Sequence, residues 1–140
     1  MRIEWVMLAL ASPLAAQDAP ASFDAARTVP LSPGQWSYVA TLGGSEARFG
    51  STFSIRCDRI ARQVTLRRIG PLVVAPAAAM TITTDLGVRT LPATGVVGNN
   101  DNVLDAIAFS RGRFIVDGGG LRLVLPASPE AARSIEDCRN

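Results

Sequence analysis

The sequence contains no histidine and no lysine, so all fourteen of its basic residues are arginine. A Ser-His-Asp or Ser-Lys nucleophile system within this chain is therefore excluded, because neither base is present. The only cysteines are Cys57 and Cys138, and without histidine they cannot complete a tetrahedral structural zinc site. Their spacing also excludes a C-x-x-C redox motif. The sequence therefore indicates no catalytic residue, no cofactor and no metal.

Long apolar runs and strong charge are missing as well. No apolar stretch is long enough to cross a bilayer as a helix, so no transmembrane segment is predicted. The formal net charge of +2 is too small to indicate nucleic-acid binding. Of the 140 residues, 48% are apolar and 19% are charged. This composition is typical of one globular domain and not of a disordered chain.

Residues 1–16 have the features of a signal peptide. Arg2 supplies a positive start, residues 5–11 form a short apolar run, and Leu14-Ala15-Ala16 resembles a small-residue cleavage site. The alternative is a buried N-terminal strand of a cytosolic protein. Residues 17–33 favour export, because they are polar or rich in alanine and proline and look like a flexible arm or linker. We therefore predict a periplasmic or secreted protein with a single β-rich domain over residues 34–140.

Alternation with a period of two predicts the strands. It is clearest over Ala47–Cys57, which we predict as one strand with Phe49, Phe53 and Cys57 facing inward and Arg56 facing outward. Prolines make residues 72–79 an edge strand or a covering loop, and residues 95–102 are predicted as a loop. The other predicted strands are Gln35–Leu42, Gln63–Ile69, Met80–Thr84, Val88–Leu91, Arg113–Asp117 and Leu121–Leu125.

Two short helices complete the predicted fold. Asp101 or Asn102 can cap a helix that follows it, and Ser128 can cap the last helix with Pro129 at its first position. Many short strands with frequent turns predict a mainly β fold, an antiparallel β-sandwich or half-barrel, with the second helix at the C-terminus.

The two cysteines are predicted to form a disulfide. In an oxidising compartment, two cysteines most simply form one bond. Cys57 lies on the inward face of its predicted strand, and Cys138 lies on the inward side of the last helix. We therefore predict a Cys57–Cys138 disulfide, which closes a loop of about 80 residues.

Arginines are concentrated over residues 56–68, where only Asp58 opposes them. Guanidinium groups bind carboxylates and phosphates through paired N–H donors, so the cluster is a candidate binding patch. The alternative is a solvated outer sheet face without a ligand. The patch is predicted to consist of Arg56, Arg67 and Arg68 on a sheet face, with Arg59 and Arg62 at the adjoining turn.

Other polar groups have structural interpretations. Arg111 and Arg113 flank Gly112 between a helix and a strand, and we predict that they anchor this corner to Asp105, Glu136 or Asp137. Asp101 and Asp105 are four residues apart beside several asparagines, which could suit calcium. EF-hand spacing is absent and helix capping explains both acids, so no metal site is predicted.

Three C-terminal motifs resemble those of a known protein family. Ala108-Phe109-Ser110-Arg111-Gly112-Arg113-Phe114, Leu123-Val124-Leu125-Pro126 and Ile135-Glu136-Asp137-Cys138-Arg139 resemble a family of small, uncharacterised exported proteins of alphaproteobacteria. The likeness covers about residues 51–139. The last 40 residues also resemble, more loosely, the invasion-associated locus B type of periplasmic β-sandwich. These resemblances imply a periplasmic β-rich domain with no established activity.

We expect an exported binding or envelope-associated module that is not an enzyme and that meets an anionic envelope component through its arginine face. One alternative is a carboxylate-dependent hydrolase of envelope material, which would need two acids converging in a cleft. Another is a structural or protein-interaction domain whose partner adds a strand at an exposed sheet edge.

Overall fold

A computed structural model describes residues 23–70 and 79–140. The predicted signal segment (1–16), residues 17–22 of the predicted arm and most of the proline-broken segment (72–78) lie outside these residues. Two antiparallel sheets with a sandwich-like arrangement confirm the predicted mainly β class. The elements of the described residues are α1 (Phe23–Ala26), β1 (Trp36–Thr41), β2 (Gly44–Phe49), β3 (Phe53–Asp58), β4 (Gln63–Arg68), β5 (Thr81–Thr84), β6 (Gly87–Thr90), β7 (Val96–Gly98), α2 (Asn102–Ala108), β8 (Arg113–Asp117), β9 (Leu123–Pro126) and α3 (Pro129–Asp137).

The five-stranded sheet has the order β1-β2-β3-β4-β7, and the four-stranded sheet has the order β6-β5-β8-β9. Aromatic rings fill the space between them. Trp36, Phe49, Phe53 and Phe114 lie with ring centroids 5.4–6.5 Å apart, and the three phenylalanines are fully buried. The indole N–H of Trp36 donates to the Pro126 carbonyl at 2.8 Å, which ties β1 to β9 across the core.

The stretch Ala47–Cys57, predicted as one strand, is two strands joined by a tight turn. Phe49 ends β2, Phe53 begins β3, and the two residues pair directly. Gly50 has φ +52°, a left-handed conformation that glycine adopts without strain. Because Phe49 and Phe53 are an even number of residues apart, the alternation continues across the turn and does not reveal it.

The loop predicted over residues 95–102 is also only partly a loop. Val96–Gly98 forms β7, which pairs with β4 through Val64↔Val97 and its neighbours. Three residues are too few to produce a recognisable alternation. The predicted helix caps are present: the Asp101 side chain accepts from the Val103 N–H, and the Ser128 side chain accepts from the Ala131 N–H.

Helix α3 packs against β1, β2 and β3 on the inner face of the five-stranded sheet. The predicted Cys57–Cys138 disulfide is confirmed, with its Cα atoms 5.5 Å apart, and it bonds the C-cap of α3 to β3. Closing a loop of this length stabilises the fold by roughly 4 kcal/mol on chain-entropy grounds. Beside it, the buried hydroxyls of Ser45 and Ser134 lie 3.0 Å apart.

A polar cluster fixes the end of α3 to β1. The Tyr38 hydroxyl donates to Asp137 at 2.5 Å, and the Arg133 guanidinium lies 4.2 Å from the centre of the Tyr38 ring. Burial alone would raise the pKa of Asp137, but hydrogen bonds from Tyr38 and Ser45 and the charges of Arg59 and Arg133 outweigh it. The pKa of Asp137 is therefore lowered in the folded chain.

The close approach of β2 to the disulfide predicts different outcomes for two adjacent glycines. A Cβ atom on Gly44 would lie 2.0 Å from the Cys57 carbonyl oxygen, whereas a Cβ atom on Gly43 meets nothing within 4 Å. We expect Gly44→Ala to lower the free energy of unfolding by about 2 kcal/mol or more, because backbone must move. The matched control Gly43→Ala should change it by less than about 0.5 kcal/mol. Urea titrations measure both, and equal effects would contradict this packing.

The lowered pKa of Asp137 predicts a pH dependence. A carboxylate whose folded pKa lies below its ordinary value of about 3.9 stabilises the fold above that value, and the contribution is lost as the pH falls through the folded pKa. Urea titrations should therefore give a difference in unfolding free energy between wild type and Asp137→Asn that is constant from about pH 7 to 5 and shrinks below about pH 4. Tyr38→Phe should reduce the pH-dependent part. A difference that stays constant down to about pH 2 would contradict the cluster's electrostatic role.

Candidate functional site

Alternation along β2, β3 and β4 turns a set of polar side chains away from the core. These side chains line a groove of about 450 Å³ on the outer face of the five-stranded sheet, which we call the arginine groove. This volume suits a small ligand or one group of a larger one. The residues lining the groove are Thr41, Gly43, Glu46, Arg48, Ser54, Arg56, Cys57, Asp58, Ile60, Thr65, Arg67 and Ile69.

Strand register sets the order of the groove residues in two adjacent rows. Arg48, Ser54 and Arg67 occupy one row, because Ser54 pairs with Arg48 on one side and Arg67 on the other. Since neighbouring strands lie about 4.8 Å apart, the backbones of Arg48 and Arg67 are about 10 Å apart. Arg56 lies in the next row on the central strand, facing Thr65. The three arginines therefore form a triangle around Ser54.

The three guanidinium groups differ in what they contact. Arg48 forms an ion pair with Glu46, whose side chain is only 11% exposed. Arg56 and Arg67 are exposed, and neither makes a hydrogen bond or ion pair with any other described residue. Ser54 is buried at the base of the groove. Two arginines with unused paired donors above a hydroxyl form a suitable site for a carboxylate or phosphate group.

Two carboxylates line the groove, and both are engaged. Glu46 is held by Arg48, and Asp58 accepts hydrogen bonds from the backbone N–H groups of Ile60 and Ala61 at 3.0 and 3.1 Å. Asp58 thereby shapes the β3–β4 turn. A glycosidase-like mechanism requires one acid that donates a proton and a second that attacks or activates water. The contacts of Glu46 and Asp58 suit structural roles in the groove instead.

The predicted position of Arg68 beside Arg67 is wrong. Successive side chains of a strand point to opposite faces, and Arg68 points between the sheets, where it is only 9% exposed. Its guanidinium donates to the carbonyls of Gly118, at 2.7 Å, and Leu121. Burial lowers the pKa of Arg68, and the charge of Asp117 opposes that effect. Arg68 therefore fixes the β8–β9 turn to β4.

The two turn arginines lie outside the lining of the groove. Arg59 donates to the Asp137 carbonyl at 3.0 Å, and its NH2 lies 3.5 Å from the Asp137 carboxylate, so it holds α3. Arg62 is exposed and has φ +52°, which places it at the bend of the β3–β4 turn. Of the five predicted binding residues, the structure thus brings Arg56 and Arg67 together in the groove.

The corner arginines do not meet the acids predicted for them. Arg113 donates to the carbonyls of Ala26 and Val29, at 3.1 and 2.5 Å, and thereby fixes the end of α1 to β8. The Nε of Arg111 lies 3.9 Å from Asp85. The acids predicted as partners contact other groups. Asp105 and Glu136 pair with Arg139, and Asp137 pairs with Arg59.

The acids near α2 have structural partners as well. Asp101 caps the helix and forms two hydrogen bonds of 2.9 Å with Arg89, while Asp105 lies 2.6 Å from Arg139. Within residues 23–70 and 79–140, no three acidic, histidine or cysteine side chains are placed to hold a metal ion. In the same part of the chain, no helix is long and apolar enough to cross a membrane.

Arg48 and Glu46 are groove residues that the sequence analysis did not single out. The signal for Arg48 was available, because the period-two pattern that turns Ser54 and Arg56 outward places Arg48 on the same side. Glu46 required the β2–β3 pairing, which brings it opposite Arg56. Comparisons with protein-family models, with curated proteins and with solved structures give no match to this chain.

The different positions of two adjacent arginines predict different effects on stability. Arg68→Ala removes a buried guanidinium that donates to the carbonyls of Gly118 and Leu121, so we expect it to lower the free energy of unfolding by about 2 kcal/mol. Arg67→Ala, the matched control, removes an exposed side chain and should change that energy by less than about 0.5 kcal/mol. Thermal and urea unfolding of both variants measure the contrast, and a destabilising Arg67→Ala with a neutral Arg68→Ala would reverse the assignment.

Proposed function

We propose that this protein is an exported binding module of the cell envelope that holds anionic groups in the arginine groove. The observation that carries the proposal is the pair of exposed guanidiniums, Arg56 and Arg67, which have no partner among the described residues. A solvated sheet face would also be exposed, but this one is concave, and its base carries the buried Ser54.

The contacts available in the groove define the ligand chemistry. Arg56 and Arg67 can each present two parallel N–H donors to a phosphate or carboxylate group. The hydroxyls of Ser54 and Thr65 can donate to the same group or to a neighbouring oxygen. Lipid phosphates and peptidoglycan carboxylates are the envelope components with this chemistry. Glu46 is already neutralised by Arg48, so the groove retains a positive character.

Export is part of the proposal and has three supports. The disulfide persists most readily in an oxidising compartment. The predicted signal segment over residues 1–16 would direct the chain there, to the periplasm or the cell exterior. The resemblance of the C-terminal motifs to exported alphaproteobacterial proteins would imply the same location.

A partner that adds a strand is a second candidate, and β6 is the observation that favours it. β6 lies at the end of the four-stranded sheet, and all four of its residues are exposed. Leu86, just before β6, and Val88 within it are 70% and 58% exposed and border a groove of about 390 Å³. Backbone N–H and C=O groups along this edge could pair with an extended peptide.

Co-sedimentation tests the first candidate directly. Wild type and Arg56→Ala/Arg67→Ala are mixed with vesicles containing an anionic phospholipid, or with peptidoglycan sacculi, at low and high salt. We expect wild type to sediment with at least one of them at low salt and to be released at high salt, because exposed charges are screened. We expect the double variant to lose at least about tenfold in affinity.

The control variant is Arg62→Ala/Arg133→Ala, which removes the same charge from exposed positions outside the groove. It should retain the binding of wild type. If the groove variant and the control variant weaken binding equally, general charge and not the groove is responsible. Binding that is unaffected by salt and by both variants would instead favour the β6 edge.

A further inference from the structure

We propose that a second cavity, at the opposite sheet, binds a zwitterionic small molecule of the free amino acid class. The cavity has a volume of about 440 Å³, and we call it the corner cavity. It lies apart from the arginine groove and shares none of its lining residues. The described residues that line it are Phe23, Arg27, Asp85, Arg111 and Arg113.

Two charged residues of the cavity lie at the same end of the four-stranded sheet. β5 and β8 are antiparallel with Thr83 opposite Ile115; Asp85 lies in the turn that follows β5, and Arg113 begins β8. Arg113 is fixed in turn by its bonds to the carbonyls of Ala26 and Val29. It therefore acts as a positioning residue that holds α1 over the end of the sheet.

Asp85 has hydrogen-bonding capacity that the chain does not use. Its side chain is 18% exposed, and its Oδ1 atom is buried without a hydrogen-bond partner. The Nε of Arg111 is 3.9 Å from Oδ2, which is too far for a hydrogen bond. A carboxylate that is mostly removed from water and accepts no hydrogen bond is unfavourable. A cationic donor at this carboxylate would neutralise it.

Two arginines of the cavity have exposed N–H donors that can bind an anionic group. The side chain of Arg111 is 91% exposed, and that of Arg27 is 66% exposed with Asp24 at 3.4 Å. Arg27 also lies 5.5 Å from the centre of the Phe23 ring, which places an apolar wall beside the charges. These exposed guanidiniums can donate hydrogen bonds to the carboxylate of a ligand.

The cavity contains both a carboxylate and guanidiniums, and this combination favours a ligand that carries both a positive and a negative charge. A simple anion would meet the Asp85 carboxylate, and a simple cation would meet three guanidiniums. A free amino acid carries an ammonium group for Asp85 and a carboxylate for Arg111 and Arg27. The 3.9 Å separation of the Asp85 and Arg111 groups suits a ligand that bears its two charges on one carbon.

Isothermal titration calorimetry with the protein amino acids as probes tests this assignment. We expect at least one to bind, and its analogues without the amine or without the carboxylate to bind at least about tenfold more weakly. For alanine these analogues are propionate and ethylamine. Asp85→Asn and Arg111→Ala should each weaken binding of the same amino acid by at least about tenfold.

The variant Arg62→Ala, which removes an exposed charge outside both cavities, serves as the control and should bind the amino acid as wild type does. The corner cavity and the arginine groove share no residue, so either proposal can fail alone. Circular dichroism confirms that each variant is folded, and Arg111→Ala is informative even if Asp85→Asn does not fold. Absence of binding by every amino acid, equal affinity for the analogue without an amine, or unchanged binding by Arg111→Ala would overturn the proposal.

Discussion

The disulfide between Cys57 and Cys138 is the constraint on which the rest of the structure depends. It joins the central strand of the five-stranded sheet to the end of α3, across 81 positions of sequence. Around it, Gly44 of β2 lies close to the Cys57 carbonyl of β3, and the hydroxyls of Ser45 in β2 and Ser134 in α3 lie 3.0 Å apart. With α3 fixed on the inner face, the outer face of the same strands can be polar. The arginine groove is therefore built on rigid strands, which favours a preorganised binding site.

Arginine serves two purposes in a chain that has no lysine. Because a guanidinium carries several donors in a planar fork, one side chain can hold two carbonyls at once. Arg68 does this for the β8–β9 turn, and Arg113 does it for the end of α1. Arg56 and Arg67 have the same chemistry without such partners among the described residues. Counting arginines along the sequence therefore overestimates how many are available to a ligand, because some of them hold backbone carbonyls instead.

The elements with strong local signals could be predicted from the sequence. Strand alternation placed Cys57 inward, and the caps at Asp101 and Ser128 marked the starts of α2 and α3. The turn at Gly50 was missed because its even spacing preserves the alternation. β7 was missed because three residues carry too little pattern.

The candidate site was predictable only in part. The outward position of Arg56 followed from alternation, and the same rule should have turned Arg68 inward once Arg67 was placed outward. The partners of Arg113 lie 84 and 87 positions earlier in the chain, and no local pattern reports them. The corner cavity likewise depends on α1 reaching β8, a contact between distant parts of the sequence. Such long-range pairings decide which arginines remain available to a ligand.

The division between structural and available arginines can be measured directly by nitrogen-15 NMR of the arginine Nε–H groups during titration with inorganic phosphate. Each side-chain resonance reports its own environment, so the test needs no substitution. We expect the Arg56 and Arg67 resonances to move together and to saturate, while the Arg68 resonance stays in place because its donors are bonded to Gly118 and Leu121. A shift of Arg68 as large as that of Arg67, or uniform small shifts across all the arginines, would contradict the assignment of the arginine groove as an anion-binding site.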